Sequence, residues 1–169
     1  MSPSLLAILK TAAPYHLLLY SVLFGTTTYQ SFYNGIIAYR ALPLKEFSNL
    51  QARIFPTYFR FQAIGSAILL ALPPVSPAPT AFYVALGLSF ATGAVNALFL
   101  GPLSNRIKAK RDEQMDIEGK SYKDPTASDT MKALNKQFGQ THGISVSLNM
   151  ITFGSLLYYG VLLTALLMP

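Results

Sequence analysis

The sequence predicts an all-α membrane protein with four transmembrane helices and a cytosolic helical hairpin between the third and the fourth. Three observations lead to this fold class. Of the 169 residues, 51% are apolar and only 12% are charged, whereas about a quarter of the residues in a soluble domain are charged. Three long stretches contain no Asp, Glu, Lys or Arg. A proline-rich segment divides the longest of these stretches.

The charge-free stretches are long enough for four spans. They cover residues 11–39, 61–105 and 137–169, which are 29, 45 and 33 residues long. A spanning helix needs about 20 residues, because each residue adds about 1.5 Å toward about 30 Å of hydrocarbon. The second stretch therefore holds two spans, and the prolines between Pro73 and Pro79 predict a turn there. The predicted spans, within a single domain over residues 1–169, are residues 14–39, 55–72, 80–101 and 143–168.

The segment between the third and fourth spans, residues 103–141, has a helical composition. Its first part is predicted to prolong the third helix past a kink at Gly101 and Pro102. Ser128 or Asp129 is predicted to cap a second helix that runs into the fourth span. The resulting hairpin is either a solvated extension of the bundle or a docking surface for a partner or for anionic lipid.

The basic residues lie almost entirely on one side of the predicted membrane. Lys10 lies on one side, and the remaining twelve of the 13 Lys and Arg residues lie on the other. Basic short loops are retained in the cytosol, so both termini should face away from it. The net charge of +6 then points to anionic lipid headgroups rather than to nucleic acid. Arg40, Arg53 and Arg60 are the predicted headgroup contacts, although Arg60 could instead form a buried pair with Asn96, Asn149 or a backbone carbonyl.

Small residues recur every four positions along the third span and predict a packing seam. Helices in lipid associate through close backbone approach, which small side chains permit. The seam either packs against another helix of the same chain or joins two copies in a homo-oligomer. Its predicted members are Ala85, Ser89, Gly93 and Ala97.

Neutral polar residues within the spans predict either hydrogen bonds between helices or the lining of a narrow polar groove. The candidate groove residues are Gln30, Asn34, Asn96 and Asn149.

No catalytic residue, metal site or cofactor is predicted. His16 and His142 should lie about a membrane thickness apart, so they cannot share a metal ion. All seven carboxylates fall in predicted cytosolic segments, and the chain has no cysteine and no Gly-x-Ser-x-Gly element. The sequence therefore predicts that the protein is not an enzyme.

Several strings resemble the transmembrane protein 205 family over nearly the whole chain. In the first half they are His16-Leu17 with Ser21 and Gly25, then Phe32, Gly35 and residues 39–43 (YRALP), then residues 50–59 (LQARIFPTYF). In the second half they are residues 95–97 (VNA) with Pro102, residues 134–138, residues 142–145 (HGIS) and Asn149. The resemblance implies a four-span helical protein of eukaryotic membranes without an established catalytic activity. It also implies a location in the mitochondrial outer membrane or an endomembrane, and a role in membrane lipid homeostasis.

These observations lead to two functional hypotheses. The first is a non-catalytic membrane protein that organises or stabilises a membrane complex or its lipids through the basic cytosolic rim. Its partners would be anionic lipids, a second membrane protein or another copy of the chain. The alternative is a carrier or channel that passes a small solute or lipid through the polar intramembrane groove.

Overall fold

The structure, a computed structural model, describes the backbone of residues 4–167 and the side chains of residues 4–165. The described part of the chain contains helices and turns and no strand. The predicted end of the fourth span, residue 168, lies outside this range. The elements are α1 (Leu5–Leu9), α2 (Ala13–Tyr29), a first π turn (Gln30–Asn34), α3 (Gly35–Ala41), α4 (Leu44–Ala71), α5 (Thr80–Val95), a second π turn (Asn96–Leu100), α6 (Gly101–Glu118) and α7 (Asp129–Leu167).

Three helical segments are long and apolar enough to cross a membrane, which indicates an integral membrane protein. They are Leu44–Ala71, Thr80–Glu118 and Asp129–Ala165. The segment predicted as the first span is helical from residue 13 to residue 41, but the first π turn divides it and α2 alone has 17 residues. The backbone stays helical through this turn, since Gln30 and Gly35 both have right-handed helical φ and ψ.

Helix α4 begins at Leu44 and therefore extends well before the predicted span at residue 55. It continues through Pro56, which has no N–H to donate to the carbonyl of Ala52. The Asn105 side chain of α6 replaces that donor, because its Nδ2 lies 3.2 Å from the Ala52 carbonyl oxygen. A contact between two helices thus compensates for a proline inside one of them.

The third long helix runs from α5 into α6 without a break at Gly101 and Pro102. At the position of the predicted kink lies the second π turn, in which the Gly101 N–H bonds the Asn96 carbonyl. A π turn contains one extra residue and often accommodates a helical proline. Gly101 allows this geometry, since a Cβ atom there would lie 2.9 Å from the Asn96 oxygen.

Helix α6 ends at Gly119, which has a left-handed φ of 64°, and residues 119–128 connect it to α7. The predicted cap is confirmed at Ser128, because its Oγ accepts a hydrogen bond from the Met131 N–H at 3.1 Å. Ser128 also donates from its hydroxyl to Glu118 at 2.5 Å. The 39 residues of α7 make a helix about 58 Å long.

The bundle is packed differently at its two ends. We call the end with residues 119–128 the loop end and the opposite end, with residues 72–79, the far end. An apolar core from α2, α4, α5 and α7 fills the far end, and it contains Leu23, Leu69, Phe82, Ala85, Leu86, Leu156, Tyr159 and Leu163. A layer of polar contacts follows toward the loop end, including Ser66 with Ser89 at 2.8 Å and Thr92 with Thr152 at 2.7 Å.

Candidate functional site

A cavity of about 780 Å³ occupies the loop end of the bundle. This volume falls within the range of small-molecule sites in proteins, about 300–1,000 Å³. The cavity lies among the first π turn and helices α3, α4, α6 and α7, and Tyr122 reaches it from the loop. Its lining residues are Gln30, Ser31, Gly35, Ile36, Tyr39, Arg40, Phe47, Ser48, Gln51, Ala52, Phe55, Pro56, Phe59, Gly101, Ser104, Asn105, Lys108, Arg111, Tyr122, Phe138, His142, Ser145, Val146, Asn149 and Met150.

The deep end of the cavity rests on a network of polar side chains. The Asn149 Oδ1 accepts hydrogen bonds from Tyr58 at 2.8 Å and from Gln62 at 3.0 Å. Its Nδ2 donates to the Ser31 hydroxyl at 2.8 Å. The Gln62 amide also donates to Tyr58 at 2.8 Å. Because this network joins α4, α7 and the first π turn, it separates the cavity from the apolar core at the far end.

Two glutamines beside the cavity have buried amide atoms without hydrogen-bond partners among the described residues. Gln51 on α4 is 9% exposed, and both its Oε1 and its Nε2 are unpaired. The Nε2 of Gln30 is also unpaired. An unpaired buried polar atom costs about 1–3 kcal/mol, so such atoms normally have a partner in the functional state. Both glutamines line the cavity, and a bound molecule would supply these partners.

Arg111 is a buried cation at the loop end of the cavity. Its side chain is 7% exposed. The guanidinium carbon lies 3.9 Å from the centre of the Tyr122 ring and 4.5 Å from the centre of the Phe138 ring. Within residues 4–165, no group accepts a hydrogen bond from its Nε.

A contact from the connecting loop reaches Tyr39, which lines the cavity. The Lys123 ammonium donates to the Tyr39 hydroxyl at 3.2 Å, and this hydrogen bond raises the pKa of Lys123. Tyr39 in turn packs edge-on against Phe47, with 5.3 Å between the ring centres. The Asn135 side chain holds the same loop by donating to the Tyr122 carbonyl at 2.7 Å. The loop therefore bridges α3 and α7.

The structure brings only some of the predicted groove residues to the cavity. Gln30 and Asn149 line it. Asn34 instead donates to Gln30 at 2.9 Å. Asn96 is fully buried and donates to the Ser145 carbonyl at 3.1 Å, outside the lining.

The three predicted headgroup contacts are all exposed. Arg40 also lines the mouth of the cavity, whereas Arg53 and Arg60 lie on the outside of α4. Arg60 is exposed, which does not fit the alternative of a buried pair with Asn96, Asn149 or a backbone carbonyl.

The predicted seam residues lie on α5 and at the start of the second π turn. Ala85, Ser89 and Gly93 are buried, and Ala97 is half-buried. A Cβ atom on Gly93 would lie 3.2 Å from the Ala63 nitrogen of α4.

Four residues of the site were missed by reasoning from the sequence: Gln51, Arg111, Tyr122 and Phe138. Gln51 and Phe55 lie four positions apart on one face of α4, a spacing that was available in the sequence. Arg111 lies among other basic residues of α6, and such a sequence is typical of a solvent-exposed helix face. Nothing in its local sequence indicates that Tyr122 and Phe138 enclose it.

The two histidines of the chain lie at opposite ends of the bundle. Within the described residues, no group of three or more His, Cys, Asp or Glu side chains is placed to hold a metal ion. His142 lines the cavity and stacks on Phe138, with 5.7 Å between the ring centres. His16 lies at the far end, where it bonds the Leu72 carbonyl at 2.7 Å and the Tyr159 hydroxyl.

Comparison with known proteins identifies a family to which the chain belongs and a relative in a fungus. Residues 18–113, which include Gln51 and Arg111, match the domain of unknown function DUF4149. The chain is 36% identical to the Xanthocillin biosynthesis cluster protein D of Aspergillus fumigatus over 174 residues, which cover 96% of this chain and 97% of that protein. No solved structure matches the chain. The chain therefore belongs to the DUF4149 family.

Proposed function

We propose that this protein is a non-catalytic integral membrane protein that binds a lipid or another amphiphile in the cavity at the loop end. The observation that carries the proposal is a 780 Å³ cavity with Gln51 unpaired and buried in its wall. Apolar walls with a few buried polar groups are typical of sites for small organic molecules. Such binding would serve membrane lipid homeostasis or the carriage of an amphiphile within the bilayer.

We also propose that the chain crosses the membrane four times, with the loop end in the cytosol and both termini on the other side. The segment over residues 13–41 stays helical, and large apolar side chains on it are exposed, as lipid contact requires. Leu18 is 64% exposed and Ile37 is 55% exposed. The basic residues near the loop end favour the cytosolic orientation.

A channel through the whole bundle fits the geometry less well than a binding cavity. The cavity ends at the Asn149 network, and Leu23, Leu69 and Leu156 are fully buried beyond it. A bound molecule would therefore enter and leave near the loop end. This favours a carrier or a lipid-binding role over a continuous pore.

Contact with anionic lipids around the bundle is a second proposed role, and the outer face of α4 favours it. Arg53 and Arg60 lie about two turns apart on one face of the helix. Ile64 continues that face and is 60% exposed. This face of α4 is basic at Arg53 and Arg60 and apolar at Ile64. The order matches a bilayer, in which the anionic headgroup layer is followed by the acyl chains. A membrane-protein partner or a second copy of the chain would bind beside this face.

The family strings and the relative are consistent with a role in handling a small molecule. Many of the residues that resemble the transmembrane protein 205 family line the cavity, including Gln51, Phe55, His142 and Asn149. We propose membership of that family on this basis, with a location in the mitochondrial outer membrane or an endomembrane. The fungal relative is named for a biosynthesis cluster.

A pair of glycine substitutions tests the proposed binding. Gly35 lines the cavity and has no atom within 4 Å of an added Cβ, so the Gly35→Leu side chain should occupy part of the cavity. Gly25 on α2 is also open but lies on the exposed surface, and Gly25→Leu is the matched control. The proteins would be purified in mild detergent, and co-purifying lipids would be measured by mass spectrometry. We expect Gly35→Leu to lose a specific lipid that Gly25→Leu retains, and equal lipid content in both would contradict the proposal.

A further inference from the structure

We propose that the molecule bound in the cavity carries an anionic group, a phosphate or a carboxylate, which pairs with Arg111. This inference rests on the proposed function and names the class of ligand. Arg111 lines the cavity and is buried, and within the described residues no carboxylate lies within salt-bridge distance of it. A buried cation without a counter-ion is unfavourable. A bound anion would remove that cost.

The setting of the guanidinium fixes how it can bind an anion. Tyr122 and Phe138 are both within 4.5 Å of the guanidinium carbon, measured to their ring centres. Cation–π contact with these rings stabilises the charge of the guanidinium and does not use up its capacity to donate hydrogen bonds to a ligand. The planar set of donors matches two oxygens of a phosphate or a carboxylate. The unpaired Nε of Arg111 is one such donor.

The other charges around the cavity also favour an anion. Of the described residues that line it, Arg40, Lys108 and Arg111 are cationic and none is a carboxylate. Lys108 is already paired with Asp112 at 2.5 Å and with the Asn49 side chain at 2.8 Å. The carboxylate of Asp112 is therefore held by Lys108. Arg111 remains the buried cation whose charge is available to a ligand.

The rest of the lining indicates that the anion belongs to an amphiphile. Phe55, Phe59, Val146 and Met150 form apolar walls between the Asn149 network and the loop end. Free phosphate would leave these walls without contacts, whereas an acyl chain would cover them. The unpaired amide of Gln51 offers N–H donors and a carbonyl acceptor to a neutral polar group, such as an ester or a hydroxyl.

Binding of matched lipids tests the inference directly. Phosphatidic acid and diacylglycerol with the same acyl chains differ only in the phosphate, and oleate and oleyl alcohol provide the same comparison for a carboxylate. Binding to the intact protein in neutral detergent would be measured by the shift in melting temperature and by native mass spectrometry. We expect at least one anionic member to bind more tightly than its neutral counterpart. Inorganic phosphate alone should give no shift, and a shift as large as that of phosphatidic acid would overturn the amphiphile assignment.

Variants then separate Arg111 from the general basic charge. Arg111→Gln should weaken binding of the preferred anionic lipid by about tenfold or more, since a charge-assisted hydrogen bond contributes about 1.5–3 kcal/mol. It should leave the neutral counterpart unaffected. The control is Lys110→Gln, which removes an exposed charge from the same helix outside the cavity. An equal loss in both variants would overturn the inference, because surface charge alone would then explain the preference.

The outcomes also distinguish this inference from the proposed function. If Arg111→Gln does not fold, Arg111→Lys keeps the charge but loses the planar donor set, and it should bind the anionic lipid more weakly than the wild type. Unchanged binding by a folded Arg111→Lys would contradict the planar pairing. Anionic and neutral lipids could bind equally well, and Gly35→Leu could abolish the binding of both. That result would support binding in the cavity and would contradict the pairing of an anionic group with Arg111. Absence of binding by every lipid would reject the proposed function itself.

Discussion

The carbonyl of Ala52 depends on a side chain from another helix. Pro56 lies four residues later in α4 and has no N–H, and Asn105 donates to this carbonyl at 3.2 Å. An unpaired buried carbonyl would be unfavourable inside a bundle surrounded by lipid. Ala52 and Asn105 both line the cavity. This hydrogen bond therefore fixes the distance between α4 and α6 beside the candidate site.

A double-mutant cycle tests this contact. Asn105→Ala should reduce the free energy of unfolding by about 1 kcal/mol, a typical value for one buried hydrogen bond. In a Pro56→Ala background the helix supplies its own N–H to Ala52, so Asn105→Ala should then cost much less. The measurement is thermal or denaturant unfolding in detergent. Additive losses in the double variant would show that Asn105 acts through another contact.

At the scale of elements, α5 approaches α4 closely at Gly93. An added Cβ there would lie 3.2 Å from the Ala63 nitrogen and 3.4 Å from the Gln62 Cβ. This contact joins two helices of the same chain, so substitution of Gly93 tests whether the predicted seam stabilises the single chain. Gly87 is on the same helix, and a Cβ there would have no atom within 4 Å.

Substitution at these two glycines should have different effects on stability. We expect Gly93→Leu to destabilise the fold by about 1–3 kcal/mol, because overpacking pushes α4 and α5 apart. Gly87→Leu should be close to neutral or slightly stabilising, since it only removes a helical glycine. Melting temperatures in detergent compare the two variants. Equal stability, with a change of oligomeric state confined to Gly93→Leu, would instead place the seam between copies of the chain.

The helices could be predicted from the sequence more easily than their irregular turns. Charge-free stretches locate the apolar segments over residues 80–101 and 143–165, and the residue type at Ser128 identifies the cap of α7. The start of α4 could not be predicted in this way, because Pro56 is typical of the first turn of a helix. The helix extends back to Leu44 because Asn105, distant in the sequence, supplies the missing donor.

At the scale of the whole molecule, the number of spans can be tested with single cysteines. The chain has no native cysteine, so Lys10→Cys, Lys45→Cys and Lys120→Cys can each be labelled alone with a membrane-impermeant reagent. Four spans predict that positions 45 and 120 are labelled from the cytosolic side and position 10 from the other. Labelling of positions 10 and 45 from the same side would mean that the segment over residues 13–41 does not cross the membrane.

The cavity as a whole was only partly predictable. Gln30 and Asn149 were candidates because they are polar residues in apolar segments, and both line the cavity. Arg111 was not a candidate, because the residues that contact it are Tyr122 on the loop and Phe138 on α7, which are distant from it in the sequence. The burial of a basic residue depends on how distant segments pack. Periodicity within one helix does not contain that information.

The uninterrupted course of α7 has a mechanical consequence. Tyr159 is held in the apolar core, and Phe138 lies on the same helix beside Arg111. The two residues are separated by about 32 Å along the axis. If the core acts as a pivot, a tilt of about 10° would swing Phe138 sideways by about 5 Å, given that lever arm. A small rotation of α7 about the core would thus produce a displacement of several ångströms at its loop end.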